Sequence, residues 1–255
     1  VTGALGSAAR LVARGEALWY RAPALGLVPD VVHGVTHASL GNFSLSVEDD
    51  TGAVRERRRR LLEAVDLDPR RVAAPALGHG ADVAVVGRDV GVPPGKWDAL
   101  VAADAGVTLA VTVADCVPVF FADAAGAAVG LAHAGWRGLA AGIVKNVIRV
   151  FVDELDVKTG DLLVATGPAI RGPSYEVGPE VAALFPETFA VPSGDSARGK
   201  ARLDLPSCAL AQAAGARVPR DNLIDFSLDT FVNPGELFSH RRGDRSRHWA
   251  FIGRK

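Results

Sequence analysis

A chain of 255 residues in which 49% are hydrophobic can bury a substantial core, and a single domain is expected from that length. Its 28 basic and 29 acidic residues leave a net charge of −1, so no global field exists to hold a nucleic-acid polymer or an anionic membrane, and a small molecule is the expected partner. Arg10, Arg14, Glu16 and Arg21 interrupt the N-terminal stretch before a membrane span or secretory core can develop, and two cysteines make no disulfide framework, so a cytoplasmic location is expected.

In chain order, Val54, Leu61, Leu62 and Val65 recur at helical spacing between Arg55 and the run Arg57 to Arg60, which predicts an amphipathic helix over 53–65 with a solvated arginine face. Val83 to Val86, Val107 to Val113, Val117 to Phe121, Ala127 to Ala132 and Leu162 to Thr166 are short apolar runs closed by Gly, Pro or Asp, and read as buried strands. Leu139, Ile143, Val147, Val150 and Phe151 follow the turn His133 to Gly138 at helical spacing and predict one long helix over 139–155. A further helix is expected over 206–214, and 194–199 is the most linker-like stretch. Without repeats or low-complexity blocks, the alternation of strands and helices indicates an α/β or α+β fold.

Three side chains of metal-ligand type stand where strands meet turns: His79 in Leu-Gly-His-Gly, Cys116 in Ala-Asp-Cys-Val-Pro and His133 in Leu-Ala-His-Ala-Gly-Trp-Arg-Gly. Imidazole and thiolate suit zinc, and three protein ligands with one open position make a catalytic rather than a structural site. The separations, 37 and 17 residues, match no local zinc-finger grammar, so spacing alone is a weak signal. Against this stands the plainer reading, in which a lone histidine is a core or loop side chain and a lone cysteine a small buried hydrophobe. His33, His37, His240, His248 and Cys208 receive that reading. Trp136 and Arg137 either pack against a neighbouring strand or, with Gly on both sides, hold an anion.

Ala114-Asp115-Cys116-Val117-Pro118, His133 to Leu139, Gly167-Pro168-Ala169-Ile170, Tyr175-Glu176-Val177-Gly178 and Phe238-Ser239-His240-Arg241-Arg242 together resemble the YfiH-like, laccase-domain family from about His33 to the end, and the first two motifs are highly specific. The resemblance implies a single-domain mixed-sheet sandwich with flanking helices, preceded by a variable segment over 1–30. It also implies a zinc site on His79, Cys116 and His133, with purine nucleoside phosphorylase and adenosine deaminase activities. Older descriptions of the family name a copper polyphenol oxidase, and a peptidoglycan-editing role has been attached to it. The chain departs from the family pattern at Leu77, where Gln is usual, at Arg57-Arg58 for Asn-Arg and at Asp229-Thr230 for Cys-Thr. The N-terminal Arg-Gly-Gly-Val-Ser element is also absent, His37 to Phe43 being shorter and different.

Four functions follow as alternatives. The first is a zinc enzyme acting on adenosine or inosine, with 5′-methylthioadenosine as a further substrate; Asp115 carries a proton, Arg137 is catalytic, and Arg58, Arg137 and Arg242 hold phosphate through their planar donor forks. The second is a copper phenol oxidase, for which six histidines and two cysteines are few. The third is a metal-free hydrolase with Cys116 as nucleophile and His133 as base. The fourth is a non-catalytic protein that keeps zinc for stability. The first is preferred. Asp115 adjoins Cys116, so it can serve there only if the turn rotates it inward.

Overall fold

The structure, a computed structural model, describes residues 9–47, 50–193 and 199–255. A hairpin of β1 (Arg10–Arg14) and β2 (Ala17–Arg21) leads through β3 (Val31–Thr36) to α1 (Thr51–Ala64). Then come β4 (Val72–Ala73), β5 (Val83–Val85), β6 (Ala99–Ala102), β7 (Thr108–Val113), β8 (Val117–Asp123) and β9 (Val129–Ala134). Two helices, α2 (Trp136–Ala140) and α3 (Ile143–Asp153), precede β10 (Leu162–Thr166), β11 (Glu176–Val177), α4 (Pro179–Ala182), β12 (Ala190–Pro192) and β13 (Ala201–Leu203). The chain finishes with α5 (Leu205–Gly215), β14 (Leu223–Asp225) and β15 (His248–Arg254).

Among the described residues the strands form two six-stranded sheets, β1-β2-β3-β15-β7-β4 and β14-β10-β8-β9-β6-β5, and a small sheet β11-β13-β12. Most pairs are antiparallel, but β4–β7, β5–β6 and β10–β14 are parallel, so both large sheets are mixed. Strand alternation sorts the side chains into layers. From β7 and β15, Leu109, Val111, Val113, Ala250 and Ile252 face the second sheet, where Phe120, Ala122, Val129 and Leu131 meet them. The opposite residues of the first sheet, Ala110, Trp249 and Phe251, pack on Leu61 and Leu62 of α1. Val117, Val119 and Phe121 of β8 point the other way, onto Ile143, Val147 and Phe151 of α3 and Ala209 of α5. The result is helix, sheet, sheet, helix, the flanked mixed-sheet sandwich that the family resemblance implies. Because β8 is covered on both sides, all seven of its residues are buried, each large apolar side chain contributing roughly 1.5–3 kcal/mol.

Two expectations change. The helix expected over 139–155 is broken into α2 and α3 at Gly142, whose φ of 82° is left-handed and ends one helix before the next begins. Of the linker-like stretch 194–199, residues 194–198 lie outside the described residues; the flanking β12 and β13 pair directly with each other, so the stretch joins neighbouring strands. Residues 10–21 form strands of the first sheet, β2 pairing with β3. No helix among the described residues is long and apolar enough to cross a membrane.

Candidate active site

Cys116 sits in the turn that carries the chain from β7 in the first sheet to β8 in the second. Asp115 makes that turn with φ 80°, a conformation Asp tolerates better than most residues. Its carboxylate is buried and both oxygens are engaged: the Thr230 hydroxyl donates to Oδ1 at 2.6 Å and the Arg241 N–H to Oδ2 at 2.6 Å. The expected proton carrier thus borders the cavity described below, yet its geometry is that of a brace between the Cys116 turn and the loop after β14.

His133 lies opposite Pro118 in the β8–β9 pairing, two residues along the strand from Cys116, and is 3% exposed. Cys116 and His133 line the same cavity. Gly135 eases the packing here, since a Cβ on it would stand a tight 3.1 Å from the Cys116 Sγ. Gly138 is required for another close approach: a Cβ would fall 2.6 Å from the carbonyl oxygen of Gly80, so its absence lets α2 press on the loop that carries His79. The glycines of the His133 to Gly138 motif therefore bring the three candidate ligands together.

Asp98, just before β6 and 1% exposed, organises both histidines. Its Oδ1 accepts from the His79 N–H at 2.9 Å and faces His133 Nδ1 at 3.1 Å, while Oδ2 accepts from Gly80 N–H at 2.6 Å and Gly78 N–H at 3.2 Å. Burial disfavours the Asp98 charge, but His133 and these N–H donors outweigh it and hold its pKa below the ordinary carboxylate value. With Nδ1 facing Asp98, His133 has Nε2 free to ligate. Burial likewise opposes charge on His133, but Cys116 and Asp98 outweigh it and push its pKa up to about 9. For His79, burial and the nearby His133 lower the pKa.

Two cavities meet at this cluster. The larger, about 600 Å³, is lined by Leu77, Arg58, Arg247 and Trp249 among others; the smaller, about 270 Å³, by Trp136, Arg137, Tyr175 and Arg241. His79, Ala114, Cys116 and His240 border both. A third cavity of about 660 Å³, between α1 and the β1–β2 hairpin, has no histidine or cysteine in its wall.

The expected phosphate-holding arginines separate. Arg137 is exposed, stacked 4.1 Å over Trp136, and borders the smaller lobe. Arg58 borders the larger lobe but donates twice to the Phe43 carbonyl and lies over Trp249; burial, with Arg55 nearby, lowers its pKa to about 10. Arg242 is corrected: its guanidinium donates to the carbonyls of Thr230, Phe231 and Leu237 and to Asp244, so it is part of the loop's own framework. Its neighbour Arg241 faces the smaller lobe instead, 4.8 Å over the Tyr175 ring. His240, given the plain reading, stands on a loop and borders both lobes. That reading holds for His33 and His248, which burial drives down to about 3 and which accept backbone N–H bonds as neutral rings. His37 accepts from the N–H of Ser39. Of the positions that depart from the family pattern, Leu77 lines the larger lobe, Arg57 reaches the Asn42 carbonyl, and Asp229 accepts from the Ser174 hydroxyl and the Phe231 N–H.

Among the described residues no three His, Cys, Asp or Glu side chains are grouped closely enough to hold a metal ion as they stand. The donor set nevertheless fits zinc: two imidazoles and a thiol beside an orienting carboxylate. The rings of His79 and His133 stand edge to face, 5.0 Å apart, as two imidazoles do when bound to one tetrahedral zinc at about 2.0–2.1 Å. Copper in several centres does not fit. Of the six histidines, His33, His37 and His248 are committed elsewhere, which leaves three beside Cys116 for a mononuclear site and a separate histidine-rich cluster combined.

Residues 32–255 match the family described as multi-copper polyphenol oxidoreductase laccase. Purine nucleoside phosphorylase YlmD of Geobacillus stearothermophilus is 34% identical over 228 residues, which span 84% of this chain and 83% of that protein. Purine nucleoside phosphorylase PA4543 of Pseudomonas aeruginosa is 36% identical over 230 residues, 86% of this chain and 88% of that one. The crystal structure of the Geobacillus YlmD superposes with a TM-score of 0.86 at 32% identity, covering 98% of this chain and 99% of its own. The Bacillus licheniformis protein YfiH gives 0.86 at 25% identity, covering 97% and 99%.

Proposed function

The chain belongs to the multi-copper polyphenol oxidoreductase laccase family, and from that premise we propose that it is a zinc-dependent purine nucleoside phosphorylase, acting on adenosine or inosine with inorganic phosphate, and on 5′-methylthioadenosine by the same chemistry. The observation that carries this reading is the two-lobed cavity, with His79 and Cys116 at its junction and Arg137 and Arg241 on the smaller lobe. The larger lobe, about 600 Å³, is of the size that encloses a small organic ligand. The smaller one suits phosphate, because guanidinium forks make paired, directed bonds to its oxygens.

His79, Cys116 and His133 would hold the zinc, with Asp98 fixing the orientation of His133 and the backbone of His79. When bound, the metal supplies fixed positive charge and Lewis acidity at the junction of the lobes. Arg137 and Arg241 bring a phosphate oxygen to the C1′ carbon of the ribose, and proximity provides much of the rate. Asp115 positions Arg241 by holding its backbone N–H. Deamination of adenosine is the weaker companion activity, since the carboxylate it needs for proton transfer, Asp115, already has both oxygens engaged.

A second reading, a metal-free Cys–His hydrolase, draws on Cys116 and His133 lining one cavity and on the raised pKa of that histidine, to which Cys116 contributes. Metal content separates the two. Arg137→Ala is expected to raise the KM for phosphate about ten- to a hundredfold, the loss of one or two hydrogen bonds to a charged group, with zinc content unchanged. Phosphate titration at saturating inosine reads it. A phosphate KM equal to the parent's would remove Arg137 from the site.

A further inference from the structure

We propose that His240 donates a hydrogen bond to the departing purine, a role that rests on the phosphorolytic reading above. His240 borders both lobes beside His79 and Cys116. Its Nδ1 lies 3.4 Å from Nη2 of Arg247. A guanidinium offers only donors, so in this contact Nδ1 accepts and the ring N–H is on Nε2. Arg247 is itself anchored: Nη1 donates to the carbonyls of Asp244, Arg245 and Ser246, and its backbone N–H to Asn42 Oδ1. The backbone on either side of His240 is held as firmly. Ser239 N–H donates to Asp244 at 2.8 Å and Arg241 N–H to Asp115 at 2.6 Å, while the His240 carbonyl accepts from Gly243 N–H at 3.0 Å. Through Asp115 this loop is tied to the turn that carries Cys116. The exposed ring turns Nδ1 to Arg247, and its anchored backbone at the cavity wall presents Nε2–H as a donor.

Phosphorolysis forms a bond from a phosphate oxygen to C1′ and breaks the bond from C1′ to N9, whose electron pair leaves with the base. The proton of hydrogen phosphate ends on the base, so atoms and charge balance. While the bond breaks, negative charge builds on the purine, including its N7, and the Nε2–H of His240 meets it there. The ring stabilises charge and transfers no proton.

The test compares inosine with 7-methylinosine, whose N7 already carries a methyl group and whose base departs without that charge. His240→Ala and His240→Phe are each assayed on both nucleosides at saturating phosphate, with zinc content measured on the same samples. The expected result is a loss of about 100-fold in kcat on inosine against less than about threefold on 7-methylinosine. The ratio is internal to each variant, so partial misfolding cancels. Equal losses on the two nucleosides, or no loss on inosine, overturn the assignment of His240. A parent protein that releases neither base in a phosphate-dependent way overturns the phosphorolytic reading itself, and the role of His240 with it.

Discussion

Cys116→Ser is expected to reduce bound zinc from about one per chain to a small fraction of that, and to abolish turnover. In the proposed centre Cys116 would supply the one anionic ligand, and a serine hydroxyl neither ionises near neutral pH nor replaces a thiolate as a donor. The substitution is small and lies in a half-buried turn, where the neighbouring Gly135 already leaves room for the larger sulfur. The fold should therefore survive, and the loss can be read as a loss of metal. Metal analysis after dialysis against a mild chelator measures it. A variant retaining the parent's full zinc complement would remove Cys116 from the ligand set and, with it, the proposed centre.

Asp98→Asn should act on both histidines at once. The carboxylate accepts N–H bonds from Gly78, His79 and Gly80 and faces His133 Nδ1. An amide has the same shape but presents two donor hydrogens on one side, so at least one of these donors meets another donor. Loss of such an orienting carboxylate typically weakens metal binding about 10- to 100-fold, and a buried donor left unmatched costs about 1–3 kcal/mol. Zinc competition against a chelator of known affinity, with urea unfolding of the metal-free chain, separates the two effects. Unchanged zinc affinity would mean that the histidines reach the metal without Asp98.

The candidate ligands could be chosen from the sequence because chemistry restricts the choice: few residue types bind zinc, and this chain has six histidines and two cysteines. Asp98 was not, because it is one of 29 acidic residues and nothing in Trp97-Asp98-Ala99 marks it; its role exists only once the loop of residues 78–80 folds over it. Arg241 and Arg242 are adjacent, and the sequence does not say which side chain a loop turns toward a cavity and which it buries among carbonyls. His240 was hidden for the same reason. Periodicity carried the apolar spacing of residues 139–151 across Gly142 without registering that its positive φ divides the helix. The fully buried β8 was legible as an unbroken apolar run, whereas β3 and β15 escaped notice because Gly34, Gly253 and the polar ends of these strands dilute the pattern.

The most direct test of the central claim is product analysis on protein of measured zinc content, incubated with inosine in the presence and absence of inorganic phosphate. The account predicts about one zinc per chain and the release of hypoxanthine with an equal amount of ribose 1-phosphate, only when phosphate is present. Zinc-replete protein that releases no hypoxanthine, or releases it with free ribose and no dependence on phosphate, would contradict it.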